Sequence, residues 1–230
     1  MRTIVAELSL SQILSLNGNN DTNKGKVIEE LVKDLLYKLG ADKVDSYFDR
    51  ENQVNLGDLK ARAKNKIYNI EVKSSHSYNN IDKLGIDIEY FNFRNGKIIP
   101  YIQKTTNSNE GWLYISQADW LIAFNVDSSE LYIIKQFQKL KQQIKEEIED
   151  HELYLSLFTK DIMNLWTDKE FRNINKYLSC GIKKDTTKYT RVLFLELSEE
   201  SLNYYNVKYD IIDIIIQEKP SNVGSNEGLN

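Results

Sequence analysis

The 230-residue sequence has one cysteine, two prolines and no long apolar run. The single cysteine, Cys180, excludes an intrachain disulfide and a cysteine zinc cage. The longest apolar segments, 119–126 and 192–197, are the length of strands, whereas a membrane helix needs roughly 18 apolar residues. The amino-terminal residues lack the basic and then apolar pattern of a secretory signal. We therefore expect a cytoplasmic protein with no membrane partner.

An excess of positive charge is also missing. The formal net charge is −4 and the pI is about 5.4, which argues against a protein that coats nucleic acid nonspecifically. An enzyme with a local basic groove is still compatible with this balance, because electrostatic steering depends on how charge is distributed. Residues 54–76 hold five basic and two acidic side chains, whereas residues 193–218 hold six acidic side chains and one lysine.

The periodicity of apolar residues predicts an α/β or α+β fold. Residues 24–39 are expected to form a helix, with Asp21 or Thr22 as its cap and Gly40 at its end. Period-2 alternation predicts strands at 44–48, 58–63, 67–73, 86–93, 97–102, 112–115, 120–125, 131–134 and 191–197. Helical spacing then predicts helices within 136–178, at 137–148, 153–166 and 171–178.

We expect these elements to form one domain, because the length of the chain and its content of apolar and charged residues are ordinary for a globular protein. Residues 1–135 would form a core. Residues 136–218 would form a helical elaboration and a final strand of the same domain, and residues 219–230 a disordered tail.

Glu71 and Lys73 are two residues apart on a predicted strand, so their side chains point to the same face. Alone, such a pair is typical of an ordinary surface ion pair. Asp58, however, begins the preceding strand and lies near Glu71 if the two strands pair through the turn at 64–66. Two carboxylates and a lysine suit Mg²⁺ binding and phosphodiester hydrolysis, since Mg²⁺ takes one or two carboxylates with waters and substrate phosphate.

The first predicted helix supplies a third carboxylate. At 100° per residue, Glu29 lies at the border of the apolar face, whereas Glu30 points into solvent. Glu29 is therefore either a further ligand at the end of the sheet or a charge at the rim of the packed face.

In this order the residues resemble the PD-(D/E)XK nuclease superfamily. The matching segments are GKVIEELVKDLL (25–36), GDLKAR (57–62) and YNIEVKSS (68–75). One departure is Gly57, which stands where the signature's often-absent proline would be. The resemblance implies a restriction-endonuclease-like core, in which a central mixed β-sheet is flanked by helices. It also implies Mg²⁺ or Mn²⁺ as cofactor, with Asp58 and Glu71 as ligands. Glu29 would be an outer or second-metal ligand, and Lys73 would position the attacking water.

Two later segments, DIEYFNF (87–93) and EGWLYISQADWLIAF (110–124), are similar to phage and restriction-type members of this superfamily. Glu89 matches an acidic residue that these members often carry in a strand. The second segment matches their Gly-turn, hydroxyl and Ala-Asp-aromatic pattern through Ser116, Ala118, Asp119 and Trp120. The resemblance covers residues 25–124, and no further pattern follows residue 134.

Several other side chains are candidates for contact with nucleic acid, each with a plainer alternative. The basic and polar candidates belong equally to turns or solvated loops, and they are Lys60, Arg62, Ser75, His76, Lys183 and Lys184, with Lys188 and Arg191 in the same cluster. The candidates for base stacking are Tyr78, Tyr90, Tyr101, Trp112 and Trp120. Aromatic residues in strands more often belong to a core.

These observations predict a metal-dependent DNA endonuclease, with a homodimer as a mild expectation because many such enzymes cut both strands as dimers. Two alternatives are open: a catalytically inactive nucleic-acid-binding or structural protein on the same fold, and an unrelated α/β protein with a plain ion pair. The sequence leaves open DNA against RNA, sequence specificity, and a role in restriction, repair, junction resolution or phage biology.

Overall fold

A computed structural model of the chain describes residues 2–18, 20–78, 81–95, 97–150, 172–184 and 188–219. Within these ranges the fold is mixed α and β, with six helices and twelve strands. The helices are α1 (Leu10–Asn17), α2 (Asp21–Lys38), α3 (Arg50–Leu56), α4 (Trp112–Ile115), α5 (Phe137–Asp150) and α6 (Glu199–Tyr204). The strands are β1 (Arg2–Leu8), β2 (Lys43–Ser46), β3 (Leu59–Ala63), β4 (Lys66–Tyr78), β5 (Ile81–Arg94), β6 (Lys97–Pro100), β7 (Trp120–Asn125), β8 (Glu130–Ile134), β9 (Arg172–Asn173), β10 (Leu178–Lys184), β11 (Tyr189–Glu196) and β12 (Tyr209–Glu218).

The strands form two sheets that share the long strand β4. The order along the main path is β1-β12-β8-β7-β4-β5-β11-β10-β9, with β3 and β2 beside β4 and β6 beside β5. The pairs β1–β12 and β4–β7 are parallel, and the other described pairs are antiparallel. The first part of β4 pairs with β3 and β7, and its last residues pair with β5.

Apolar side chains form one core on each face of the sheet around β7. Leu121 and Ala123 of β7 pack into a core with α4, α5 and α6, whereas Ile122 and Phe124 pack into a second core with α1 and α2. This strict alternation is what a strand covered on both faces requires. Ile70 and Val72 of β4 belong to the core beneath α2, so the residues between them face the other side of the sheet.

The β3–β4 hairpin is the predicted element that matters most for the site. Lys64 and Asn65 both have positive φ, 48° and 65°, which is the backbone of a two-residue type I′ turn whose twist matches that of paired strands. The turn fixes the register Leu59 to Ile70. Asp58, directly before β3, therefore lies beside Glu71, as the hairpin prediction requires.

The helix predicted at 24–39 is confirmed as α2. Its N-cap is Asn20, whose side chain accepts a hydrogen bond from the Asn23 N–H, and not Asp21 or Thr22. The helix ends at Lys38 with Leu39 as its C-cap, and Gly40 follows with φ of 99°. Strands predicted around β2 to β8 and β11 are also present, although β4 and β5 are longer than expected.

Two predicted elements are wrong. Residues 112–115 form the short helix α4, because the Gly111 carbonyl accepts hydrogen bonds from the N–H groups of Tyr114 and Ile115 at 3.0 and 3.3 Å. Residues 172–178 form β9, a turn and the start of β10, because the Asn175 side chain accepts hydrogen bonds from the N–H groups of Tyr177 and Leu178.

The carboxyl-terminal part is therefore less helical than expected. After α5, the described residues up to 218 supply β9, β10, β11, α6 and β12, and β12 lies inside the sheet between β1 and β8. The helix predicted at 153–166 and all but the first residue of the predicted tail lie outside the described residues. None of the helices in the described ranges combines the length and apolar composition of a membrane-spanning segment.

Candidate active site

Gly57 brings Asp58 against strand β4. Gly57 ends α3 with φ of 103°, and a Cβ there would lie 2.6 Å from the Ile70 carbonyl oxygen. Proline cannot replace it, because the proline ring fixes φ near −65°. The Asp58 N–H donates to the Ile70 carbonyl at 2.8 Å, and the Val72 N–H donates to Asp58 Oδ2 at 2.8 Å. Two hydrogen bonds thus hold Asp58 beside Glu71.

Glu71 and Lys73 project from the face of β4 opposite Ile70 and Val72. Glu71 is only 4% exposed. Its Oε1 forms an ion pair with Lys73 Nζ, and its Oε2 accepts a hydrogen bond from Ser116 Oγ at 3.3 Å.

Burial and neighbouring charges set the protonation of this pair. Burial raises the pKa of Glu71, Lys73 opposes that rise, and Asp58 adds to it. Burial disfavours the charged form of Lys73, but the carboxylates of Glu71 and Asp58 raise its pKa above the ordinary lysine value. These carboxylates therefore favour the protonated form of Lys73, which donates to Glu71.

Glu29 on α2 faces the same carboxylates. Burial raises the pKa of Glu29, Asp58 raises it further, and Lys33 and Lys73 oppose the rise. Glu30, the next residue, is exposed, and its Oε2 accepts a hydrogen bond from Gln12 Nε2 at 2.9 Å. The helix thus places Glu29 within the electrostatic reach of Asp58 and turns Glu30 away.

Asp87 on β5 is a site residue that the sequence reasoning missed. Burial raises the pKa of Asp87, whereas the Tyr90 hydroxyl, which donates to Asp87 Oδ2 at 3.0 Å, and the nearby charge of Lys73 oppose the rise. The charges of Lys183 and Lys188 act in the same direction. The alternation Asp87-Ile88-Glu89 could have revealed Asp87, because Ile88 is buried and both acidic residues lie on its opposite face.

Glu89, the acidic residue singled out in the sequence, has a different partner. Arg191 is 2% exposed, and its Nη2 pairs with Glu89 Oε1 at 2.7 Å. Arg191 is therefore buried in the sheet and not presented to phosphate at the surface.

The predicted nucleic-acid contacts differ in position. Lys60 and Arg62 alternate with the buried Leu59 and Ala61 of β3, so they share the face of Asp58. Ser75 is completely buried and its hydroxyl has no hydrogen-bond partner among the described residues, so it is not presented to a ligand. Lys183 is exposed, and the described side chains do not include His76, Tyr78 or Lys184.

The remaining aromatic candidates line the site or pack beneath the sheet. Lys73 Nζ lies 5.5 Å from the ring centroid of Trp112, and Lys188 Nζ lies 3.7 Å from that of Tyr90 and 5.6 Å from that of Tyr101. Trp120 packs on Tyr68 with ring centroids 4.5 Å apart, against the core beneath α2.

Helix α5 holds the segment that carries Ser116. Gln138 Nε2 donates to the carbonyl of Ala118 at 2.6 Å, and Lys141 Nζ donates to the carbonyl of Ser116. Burial lowers the pKa of Lys141 to about 8, and the charge of Lys145 lowers it as well.

The carboxylates fit an open Mg²⁺ site, not a closed metal cage. In the part of the chain that the structure describes, no three His, Cys, Asp or Glu side chains form a metal-holding cluster. Mg²⁺ does not need one, because one or two carboxylates with waters and substrate phosphates satisfy it. Asp58 Oδ1 accepts no hydrogen bond from the described residues, and each carboxylate oxygen of Glu71 has a lone pair beyond its one observed contact.

The converging groups are thus two carboxylates on paired strands, a third on a helix and a protonated lysine. Comparison with models of protein families, with curated proteins and with solved structures finds no match to this chain. The chemistry of the groups indicates what they can do. Hard oxygen ligands can hold a divalent cation, and an ammonium beside them can hold a phosphate oxygen or orient a water.

Proposed function

We propose that the protein is a Mg²⁺- or Mn²⁺-dependent nuclease of PD-(D/E)XK type, with a restriction-endonuclease-like core, that hydrolyses phosphodiester bonds in DNA. The observation that carries the proposal is the meeting of Asp58, directly before β3, with Glu71 and Lys73 of the paired strand β4, with Glu29 facing them from α2. An ordinary surface ion pair needs neither the buried carboxylate nor the second and third acidic residues.

Each residue has a role that its surroundings support. Asp58 and Glu71 would hold the cation, which supplies Lewis-acid stabilisation of the phosphate and lowers the pKa of a bound water. Lys73, protonated and fixed by Glu71, would orient the attacking water and stabilise negative charge that develops on the phosphate. Glu29 would act from the outer side of Asp58.

Positive charge on both sides of these residues supports a polyanionic substrate. Lys60 and Arg62 extend from Asp58 along β3, and Lys183 and Lys188 lie near Asp87 on the other side. A substrate backbone that crosses the site would therefore meet lysine or arginine before and after the scissile phosphate. Such contacts dominate the affinity of proteins for nucleic acid and weaken steeply with salt.

A cleavage assay tests the proposal. Plasmid, single-stranded DNA, branched DNA and RNA are incubated with Mg²⁺, Mn²⁺, Ca²⁺ or a chelator. We expect DNA cleavage with Mg²⁺ or Mn²⁺ and none with chelator. Ca²⁺ should bind without turnover, because its looser coordination positions the water poorly. Full cleavage in chelator, or no cleavage of any substrate, contradicts the proposal.

The two alternative functions predict a different metal titration. In an inactive scaffold or a plain ion pair, we expect calorimetry to detect poor Mn²⁺ binding, and none that depends on Asp58. In a nuclease, Mn²⁺ binds the parent and binds Asp58→Asn much more weakly. Sedimentation of the full chain with and without DNA tests the predicted homodimer.

A further inference from the structure

Lys141 on α5 is a buried lysine that the proposed mechanism does not use. It is 3% exposed, and no carboxylate of the described residues lies within ion-pair distance of its Nζ. Lysine is almost never fully buried unless it is paired with an opposite charge. Its ammonium donates to the Ser116 carbonyl and lies 5.5 Å from the ring centroid of Phe137.

The carbonyl that Lys141 binds belongs to the residue that holds Glu71. Ser116 is the C-cap of α4, and its Oγ donates to Glu71 Oε2 at 3.3 Å. Gln138, one turn earlier on α5, donates to the carbonyls of Ser116 and Ala118 at 3.3 and 2.6 Å. Gln138 and Lys141 of α5 therefore hold residues 116–118 in place through backbone carbonyls, and the Ser116 hydroxyl extends from this segment to Glu71.

Stability alone does not explain a lysine at this position. Replacing a buried charged group by an apolar one of similar volume is often neutral or stabilising, because the charge is costly to remove from water. A methionine would fill the same space beside Phe137 without that cost. Lys141 is also too buried to touch a substrate, so any effect on catalysis has to reach Glu71 either through Ser116 or through the charge of Lys141 itself.

We propose that Lys141 is a positioning residue for the metal-binding carboxylate: through Ser116 it fixes the orientation of Glu71. This inference rests on the proposed nuclease function, because Glu71 has a task there only as a ligand. The contact makes α5 part of the site, although α5 presents no group to the substrate.

The test compares Lys141→Met with the matched control Lys139→Met. Lys139 lies on the same helix and also donates to a backbone carbonyl, that of Asn206, but it is exposed and away from the site. In Lys141→Met we expect kcat to fall by about 10–100-fold, the range for partners of metal ligands, with weaker Mn²⁺ binding. KM for DNA should stay unchanged and the melting temperature should stay equal or rise. Lys139→Met should keep the parent kcat.

A second substitution tests the route through Ser116. If Lys141 acts only by holding Ser116, then Ser116→Ala with Lys141→Met should cost little more than the worse single substitution. Multiplying effects overturn the proposed route. A Lys141→Met variant that keeps the parent kcat, or that loses kcat and melting temperature together, overturns the positioning role.

A third measurement separates this inference from the proposed function. The side-chain carboxyl signal of Glu71 is assigned by ¹³C NMR through its loss in Glu71→Gln. It should shift in Lys141→Met and Ser116→Ala and stay unchanged in Lys139→Met. If the parent protein cleaves no nucleic acid, the proposed function fails and the NMR comparison decides the Lys141 inference. An unshifted signal in Lys141→Met overturns it.

Discussion

Strand β4 leads to two groups of acidic side chains that differ in what surrounds them. Near its middle, Asp58 and Glu71 meet Lys73. Beyond its end, Asp82 and Glu130 line a pocket of 670 Å³ with the further acidic residues Asp127, Glu196 and Glu199.

In the second group, hydroxyls donate to Asp82 and Glu130, and the Ser77 N–H donates to Asp127 Oδ2 at 2.8 Å. The hydroxyls of Tyr132 and Ser128 both lie within hydrogen-bond distance of Asp82 Oδ2 and Glu130 Oε2, and Ser77 Oγ donates to Asp82 Oδ1 at 2.6 Å. Burial and the neighbouring Glu130 raise the pKa of Tyr132, so it stays a neutral donor. No lysine or arginine lines this pocket among the described residues. The number of carboxylates therefore does not distinguish the two groups. They differ in the lysine that pairs with Glu71 and in the Asp58 Oδ1 that accepts no hydrogen bond from the described residues, and these two features support the proposed function for the first group alone.

The largest expected difference between the two groups is in turnover. Asp58→Asn removes a cation ligand while nearly keeping volume, so cleavage should fall about a thousandfold, which corresponds to about 4 kcal/mol of transition-state stabilisation. Asp82→Asn removes a carboxylate of the same type and should leave turnover at the parent value. Cleavage rates at saturating Mn²⁺ measure both, and equal losses would abolish the distinction drawn here.

Lys73 should be needed for turnover but not for metal binding. In Lys73→Ala we expect cleavage to fall about a hundredfold or more, because a positioned proton donor contributes in that range. Mn²⁺ binding measured by calorimetry should persist or tighten, since a positive charge leaves the neighbourhood of the cation. A variant that cuts DNA like the parent would leave Glu71 and Lys73 as a plain ion pair.

The two glutamates of α2 give a smaller contrast. Glu29→Gln should lower kcat about tenfold, as substitutions outside the inner ligand shell do, and Glu30→Gln should not change it. The reverse result would mean that the helix is rotated by one residue from its place in this fold. Two unchanged variants would make α2 purely structural.

Asp87 should carry a stability cost that depends on pH. Its folded pKa is raised, so the native state binds more protons than the unfolded state above roughly pH 4, the ordinary aspartate value. Stability therefore falls as pH rises through that window. Asp87→Asn should be more stable than the parent at pH 7, and the difference should shrink as the pH is lowered to 4. Urea unfolding at both pH values measures it, and a less stable variant at pH 7 would show that the Tyr90 hydrogen bond outweighs burial.

In the acidic pocket, a substitution should lower the free energy of unfolding, whereas Asp87→Asn should raise it at pH 7, and the change should be small. Tyr132→Phe removes a hydroxyl shared by Asp82 and Glu130. We expect a loss of about 1 kcal/mol in the free energy of unfolding, the usual net value of such a bond. Turnover should not change. A gain in stability would mean that the two carboxylates do not depend on this donor.

Local patterns predicted the parts of the site that are close in sequence. The alternation in 67–73 and the tight turn before it determine the hairpin that places Asp58 beside Glu71, and helical phase separates Glu29 from Glu30. The alternation in 87–89 marks the face on which Asp87 lies, but its relation to Lys73, Lys183 and Lys188 depends on how β5 and the β10–β11 hairpin assemble. Nothing in a local window encodes that assembly.

Other misses have the same cause. The parallel pairing of β1 with β12 joins the two ends of the described chain, and periodicity cannot predict such a contact. The four apolar residues of α4 are too few to show a period, so their sequence does not reveal the turn that the Gly111 carbonyl closes. Strand β7 was easier to predict, because a strand that is buried on both faces has a nearly continuous apolar sequence. That signal is visible without knowing which strands pair with it.

The length of β4 affects how the protein opens locally in its native state. Ile70 and Val72 in its middle pack into the core beneath α2. Its last residues pair with β5, whose Leu84 and Ile86 belong to the other core. Opening β4 would therefore loosen both cores together. We expect the backbone amides of Glu71 and Val72 to be among the slowest to exchange with deuterium, at a rate set by complete unfolding and not by a local fluctuation. If the proposed function is correct, the segment of β4 beneath a bound substrate would be rigid, and the surrounding hairpin and loops would make any adjustment to the shape of that substrate.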